Sequence, residues 1–428
     1  MTRPRPVWAL YAFVGGLAAH NLAMAELWDA GVRGAALDVV SAWKDVLLLV
    51  ALVAVFWRRR GLPLDSVADR LALAYGVFVV CYLLLPQSLL GGHAGGKTEL
   101  YALRHDLLPV GAYFLGRGLD LGREERRRVA ALVVGTACAV AAYGLADDFL
   151  VPLSWWRDSG APGWFHQQLG LDYHGLSGLP ENFVYNLGGD HVVRRLVSSF
   201  LSPLATSYLL VVALLLVAAR RGLWLWTAPL LAAALLFTNS RSSILALALG
   251  LVALAWGTRT WLPAALAVAW LAVGVASVKA FPHLAPETHF TAPELVIQHR
   301  GAAGESHDPL SGGESSTSSH WRNLRDGVST VVHHPQGFGL GNAGVTAFRT
   351  GTKVEAGEST YTELGVETGL LGALVFVAWS VALVRRVLPG SAWIGASLVA
   401  VLALGIQTDV IGVPWLAYVL WALAGDRA

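Results

Sequence analysis

The chain has 428 residues, of which 55% are hydrophobic and only 14% charged, with a formal net charge of +2. Soluble domains carry roughly a quarter charged residues, so this composition, with its mean hydropathy of +0.54, argues against an ordinary soluble domain, and so small a charge argues against a nucleic-acid partner. The two cysteines, Cys81 and Cys138, both sit inside apolar runs, which speaks against a disulfide framework or a thiolate metal site.

A bilayer span needs about 20 apolar residues, and such runs recur along the chain. They predict helices over 7–25, 37–57, 70–90, 99–117, 128–149, 195–219, 222–238, 241–257, 262–280, 361–384, 391–410 and 412–425, about twelve in all, the last one short. The run from Val7 lacks a small-residue cleavage pattern and reads as a first span, not a removed leader. Basic residues occupy every second connection. Arg3 and Arg5 precede the first span; Arg58, Arg59 and Arg60 follow the second; Arg117, Arg123, Arg126, Arg127 and Arg128 lie between the fourth and fifth. Arg220 and Arg221 follow the sixth, Arg259 the eighth, and Arg385 and Arg386 the tenth. The excess of Lys and Arg on cytoplasmic loops then assigns these connections and both termini to the cytoplasm. The expected fold is all-α and polytopic, a single integral membrane domain over 1–428.

Two long segments fall on the other side, 150–194 and 281–360. Loops of this length are usually functional or disordered. Within the second, GAAGESHDPLSGGESSTSSH reads as a flexible cover, and WRNLRDGVSTVVHHPQGFGLGNAG as an ordered part with a helix-like start and a glycine-rich turn. No internal repeat is evident, which weakens an inverted-repeat transporter reading. Of the 17 tryptophans, Trp57, Trp224, Trp226, Trp261 and Trp415 fall at expected interfaces and read as an aromatic belt. Trp155, Trp156, Trp164 and Trp321 lie in the outer segments, where sugar stacking is open to them.

Charges at a membrane edge are costly and are functional candidates by default. Arg195 opens the sixth predicted span and Arg241 the eighth, both on the outer face. Two guanidinium forks at one level suit a diphosphate; the alternative is snorkelling to headgroups. Lys44 and Arg104 lie slightly deeper, each near a carboxylate, Asp45 and Asp106, and serve either a ligand or a structural ion pair. Glu358 stands at the lip of the tenth span, with Glu363 and Glu367 following on one helical face. It reads as a general base or as a carboxylate favoured by a helix N-terminus. His333 and His334 are poor co-ligands for one metal, and the GFGLG run suits a tight backbone turn better than a phosphate loop. Asp147 and Asp148, at the outer end of the fifth span, leave divalent-metal binding open.

Four segments in order resemble the O-antigen ligase and polymerase superfamily, membrane glycosyltransferases that use polyprenyl-diphosphate-linked glycans. They are RRLVSSFLSP, TNSRSSILAL, HHPQGFGLGNAG and ESTYTELGVETGLLG, covering about 195–372. The resemblance implies a GT-C-like helical fold with a large extracytoplasmic loop between the ninth and tenth helices, in the bacterial inner membrane. It also implies an outer-face active site, an undecaprenyl-diphosphate-type donor, a glycan or lipid acceptor, and no cofactor, nucleotide sugar or metal. Carried over position by position, Arg195 and Arg241 hold the diphosphate and Glu358 falls where ligases often carry a catalytic His. A carboxylate there is seen in polymerase-like relatives and favours a polymerase, although an ordinary Glu, with a pKa of ~4.3, is a weak base. Arg194, His334 and Tyr361 in the same segments, and Arg322 in the ordered part of the loop, join Lys44 and Arg104 as candidate substrate contacts.

The leading expectation is thus an inverting polymerase of lipid-linked repeat units, with a chain-length regulator as an accessory partner. A ligase moving finished glycan to a lipid, protein or wall acceptor shares the chemistry. A polyprenyl-glycan flippase is the alternative of another class, and it calls for charges along a midplane path where this chain gathers them towards one face.

Overall fold

The computed structural model describes residues 6–171, 175–187, 191–220, 222–298, 310–311 and 315–428. Its helices are α1 (Val7–Asp29), α2 (Ala35–Ser41), α3 (Trp43–Arg59), α4 (Val67–Leu84), α5 (Gln87–Leu90), α6 (Gly96–Leu119), α7 (Arg123–Leu150), α8 (Leu153–Asp158) and α9 (Pro203–Arg220). There follow α10 (Ala228–Phe237), α11 (Arg241–Thr258), α12 (Leu262–Leu284), α13 (Ala292–Gln298), α14 (Ser315–His333), α15 (Gly344–Thr350), α16 (Thr360–Val387), α17 (Ala392–Leu404) and α18 (Trp421–Arg427). The chain is an all-α polytopic membrane protein. Among the described residues, seven helices are long and apolar enough to cross a membrane: α1, α4, α7, α9, α11, α12 and α16. An eighth is added if α2 and α3, bent by 42° about Ala42, form one span. Every predicted run meets helical structure, but α10 and α17 are shorter than a span and α6 carries Lys97, Glu99, Arg104 and Asp106. Large apolar side chains point outward along the spans, for example Leu245, Leu249 and Val252 on α11 and Val268 and Val275 on α12, as a lipid-facing surface requires.

The sixth predicted span starts later than its apolar run suggests. Residues 195–202 are not part of α9, because Ser198 and Leu201 sit at positive φ of 51° and 50°, and the helix begins at Pro203, whose fixed φ and missing N–H suit a first turn. Arg195 therefore lies ahead of the span, not in it. Trp415 is also displaced from its expected belt: it is buried and gives its indole N–H to the Val14 carbonyl at 3.1 Å.

The basic connections meet at one end of the bundle. Arg58 and Arg59 both pair with Asp120, Arg126 pairs with Asp426 at 2.8 Å, Arg386 donates to the Ala428 carbonyl at 2.8 Å and Arg427 to that of Gly390 at 2.7 Å. Nearby, Asp69 closes a capping box with Ser66 at the start of α4 and accepts from Tyr113 and Arg117 of α6, both at 2.7 Å. The antiparallel packing of α4 and α6 is fixed there.

At the other end, described parts of the long connections pair with one another. β1 (Val184–Asn186), β2 (His191–Arg194) and β3 (Glu287–His289) form one antiparallel sheet, Tyr185 opposite Val193 and Val192 opposite Thr288. The sheet joins the two outer segments, and the buried pair Arg157–Glu294 at 2.8 Å ties them again. A second apolar core beneath them holds Trp28, Trp156, Phe165, Phe183 and Phe290. Of the expected flexible cover, 301–309 and 312–314 lie outside the described residues, while its last six residues open α14.

Glycine permits the closest helix contact in the bundle. A Cβ on Gly116 of α6 would lie 1.9 Å from the Ala422 carbonyl oxygen, and one on Gly425 of α18 would lie 2.1 Å from that of Tyr113. Small residues let membrane helices approach this way. Gly116→Ala should therefore destabilise the protein by about 3 kcal/mol, the upper part of the range for overpacking, read as a lower unfolding temperature in detergent. Gly15→Ala, with nothing within 4 Å of the new Cβ, should be nearly silent.

Candidate active site

The start of α16 is fastened to the link between α17 and α18. The Thr360 backbone N–H donates to the Gly405 carbonyl at 3.0 Å, its hydroxyl donates to that of Thr408 at 3.0 Å, and the Val410 N–H returns to the hydroxyl at 2.9 Å. Tyr361 gives its phenol to the Leu402 carbonyl at 2.7 Å. Glu358, just ahead of this anchor, has a φ of 71°. A non-glycine residue held in the left-handed region stores strain of order 1–3 kcal/mol, and such positions cluster at functional sites.

The glycine-rich loop after α14 docks into a break in α16. Gly369 there has φ 70° and ψ 171°, outside the helical region, which only glycine adopts at low cost. The Leu370 N–H, released by the break, donates to the Pro335 carbonyl at 2.9 Å, and the Phe338 N–H donates to that of Val366 at 2.6 Å. The Tyr82 hydroxyl donates to the Gln336 carbonyl at 2.7 Å, and Gly341 N–H donates to Glu367 at 2.9 Å. The loop thus satisfies backbone groups that a broken membrane helix cannot leave unpaired. Gly337, at φ 74°, would carry a Cβ only 2.5 Å from the Gly369 nitrogen.

α14 runs beside the first part of α16. Gly327 lies against Thr362, and Val331 against Gly365. This register carries His320 to Glu358, with His320 Nδ1 2.5 Å from Glu358 Oε2. Both side chains are partly open, 41% and 43% exposed. The His320 hydrogen bond, joined by one from Asn323, holds the Glu358 carboxyl below its ordinary range against the opposing effect of desolvation.

The pair faces a cavity of about 1140 Å³ at the end of the bundle opposite the basic connections. Its lining also carries three cations, Lys44, Arg104 and Arg349. Lys44 Nζ bonds the Ser41 carbonyl at 2.6 Å and His20 Nε2 at 3.0 Å. Arg104 donates to Asp45 at 2.7 Å, and Asp45 also accepts from Tyr418 at 2.6 Å. Arg349 of α15 donates to the Leu169 carbonyl at 2.9 Å and lies over the Tyr101 ring at 5.7 Å. Below the anchor, His105 bridges Asp106 and Asp409, each at 2.8 Å, and His105 and Asp409 also line the cavity.

Of the residues singled out from sequence, Glu358, Lys44 and Arg104 line this cavity together, and Asp45, Glu363 and Trp164 line it too. The others stand elsewhere. Arg195 donates to the Thr238 carbonyl at 3.0 Å and that of Asn239 at 3.4 Å, holding the turn that ends at Arg241. Ser242, the next residue, is on the wall, as is Tyr208. Arg194 is 2% exposed, paired with Asp147 at 3.3 Å and facing Asp148 at 3.8 Å. Asp147 also accepts the Trp156 indole at 2.8 Å, which commits that indole N–H inside the outer core. Among the described residues no group of three or more His, Cys, Asp or Glu is placed to hold a metal ion. His334 stacks on Phe338 at 4.0 Å and bonds the Leu90 carbonyl at 2.9 Å, a scaffold position in the docked loop. Tyr361 faces α17, and Arg322 is exposed on α14 off the cavity. Sequence reasoning missed His320, Asn323 and Arg349. A signal for the first two was present: His320, Asn323, Asp326 and Gly327 recur at three- and four-residue spacing, which places them on one helical face.

A polytopic helical membrane protein with a cavity that carries charged side chains at one end of its bundle is the class these features define. Residues 226–377, from just before α10 well into α16, match the family described as O-antigen ligase. Over that segment the chain is similar to that family, in line with the resemblance carried by its four sequence segments. No curated protein matches the chain.

The docking of loop on helix break gives a test. Gly337→Ala should lower the unfolding temperature and increase protease cleavage near 334–344, because the added methyl meets the α16 backbone. Gly351→Ala, also at positive φ but with nothing within 4 Å, should show only the smaller conformational penalty, about 1 kcal/mol.

Proposed function

We propose that the protein is a membrane glycosyltransferase that acts at the outer face of a bacterial inner membrane. It moves glycan from a polyprenyl-diphosphate-linked donor to an acceptor hydroxyl, with inversion and without nucleotide or metal. The observation that carries this reading is the single cavity lined by Lys44, Arg104, Arg349 and Glu358 together. The positive-inside rule assigns the basic end of the bundle to the cytoplasm and hence the cavity to the outside. An acceptor oxygen attacks the anomeric carbon as the bond to the diphosphate oxygen breaks, and the hydroxyl proton passes to the Glu358 side of the cavity. Charge grows on the departing diphosphate, where fixed cations stabilise it most. Lys44 and Arg104, which line the cavity, are assigned this role. Arg241, next to Ser242 of the lining, is assigned the outlying part of the same group, with Arg195 holding the turn that ends at Arg241. A polymerase is favoured over a ligase by the carboxylate at position 358, and a chain-length regulator is the accessory partner such an enzyme would take. A flippase fits less well, since Lys44, Arg104, Arg349 and Glu358 gather in one cavity at one end of the bundle.

Reconstitution in liposomes with a polyprenyl-diphosphate oligosaccharide, lacking nucleotide and metal, tests this. Longer lipid-linked glycan is the expected product; transfer only to an added lipid or protein acceptor would instead identify a ligase. Absence of any transfer, with flipping of the lipid, would overturn the enzyme reading. Lys44→Ala and Arg104→Ala should each slow turnover by about 10²-fold, the scale for losing one charge-stabilising donor.

A further inference from the structure

Resting on that reading, we infer that His320, not Glu358, takes the proton from the acceptor hydroxyl, and that Glu358 is the positioning residue that orients and charges the imidazole. Three observations converge on this pair. His320 Nδ1 is 2.5 Å from Glu358 Oε2. An imidazole bound to a carboxylate through Nδ1 has its tautomer fixed, directs the proton chemistry to Nε2, and gains basicity from the adjacent negative charge. Second, the approach is built by backbone, since Gly327 seats α14 on Thr362 and Gly365 seats α16 on Val331. Third, Glu358 keeps its strained φ of 71° at the one place where its carboxylate meets α14.

Glu358 is a poor base in this setting. Its carboxylate already accepts from His320 and Asn323, which holds it below its ordinary range. A base works best with a pKa near the operating pH, and imidazole lies there by nature. In the proposed step the acceptor O–H proton moves to His320 Nε2 as the new C–O bond forms. The electron pair of the broken anomeric C–O bond leaves on the diphosphate. The imidazolium sits against the Glu358 carboxylate and returns its proton to water. The other carboxylates, cations and imidazoles lining the same cavity are Asp326 on α14, Glu355 ahead of α16, Glu363 on α16, Asp409 beyond α17, Arg104 and His105 on α6, Arg349 on α15, Lys44 and Asp45 on α3, Asp38 on α2 and His20 on α1. None of the substitutions below alters them.

The test is the pH dependence of glycan transfer in liposomes for the wild type, His320→Gln and Glu358→Gln. His320→Gln should lose about 10²–10⁴-fold, the usual worth of a general base, and lose the acid limb of the profile. Glu358→Gln should keep that limb but move it to lower pH, because the imidazolium loses its counter-charge. Near-wild-type turnover in His320→Gln beside an inactive Glu358→Gln would overturn the inference and make Glu358 the direct base, leaving the transferase reading intact. If His320→Gln fails to fold by size exclusion, the Glu358→Gln profile decides alone: a limb moved to lower pH supports the inference, and an unmoved or abolished limb overturns it. A wild-type protein that transfers nothing overturns both readings.

Discussion

The Leu370 N–H, turned from its own helix to the Pro335 carbonyl at 2.9 Å, is the contact on which the outer half of the structure depends. A helix broken at membrane depth exposes backbone groups that have no water to satisfy them. Here the glycine-rich loop supplies the partners, and Gly369 and Gly337 supply the room, with the Cβ of either landing within 2.7 Å of the other strand's backbone. Once loop and break are joined, α14 has one register on α16. Everything that faces the cavity from that side follows from this register.

The cavity then gains its character from two independent anchors. Its Glu358 side is held by the α16 start, whose Thr360 is bonded to the α17–α18 link through both backbone and hydroxyl. Its cationic side is held by the bend between α2 and α3, where Lys44 bonds the Ser41 carbonyl, and by the Arg104–Asp45–Tyr418 chain. Each cation is already partly neutralised or bonded, so its orientation is fixed before any anion arrives. That is the preorganised arrangement in which fixed charges act on a developing one without reorganisation cost. The family match, over 226–377, covers the side with His320 and Glu358, whereas Lys44 and Arg104 come from helices before it.

Arginine shows where reading by motif reaches its limit. Arg194, Arg195 and Arg241 stand in recognisable segments, yet Arg194 is closed into an ion pair with Asp147 and Arg195 is spent on a turn. A guanidinium has five donors, and an unpaired one buried among helices is costly. Whether it serves a ligand or its own fold depends on which carboxylates and carbonyls surround it, and these arrive from elsewhere in the chain. The outer tryptophans divide for the same reason: Trp156 is buried at 1% exposure while Trp155 next to it stays 47% exposed.

The sequence by itself determined the membrane class, the places of the apolar helices and the two ends of the bundle. Hydrophobic length and the positions of arginines are local properties that need no partner to be read. It also put Glu358, Lys44 and Arg104 towards the outer ends of their segments, but it set Glu358 against Arg195 and Arg241, whereas the cavity gathers Glu358 with Lys44 and Arg104. Only the tertiary structure decided that His320 meets Glu358 across 38 residues of chain, that the two outer segments share one sheet, and that Arg349 lines the same cavity. Those pairings depend on how glycine contacts set helix against helix to within a turn, and a turn is 5.4 Å, about twice the length of the hydrogen bond at stake.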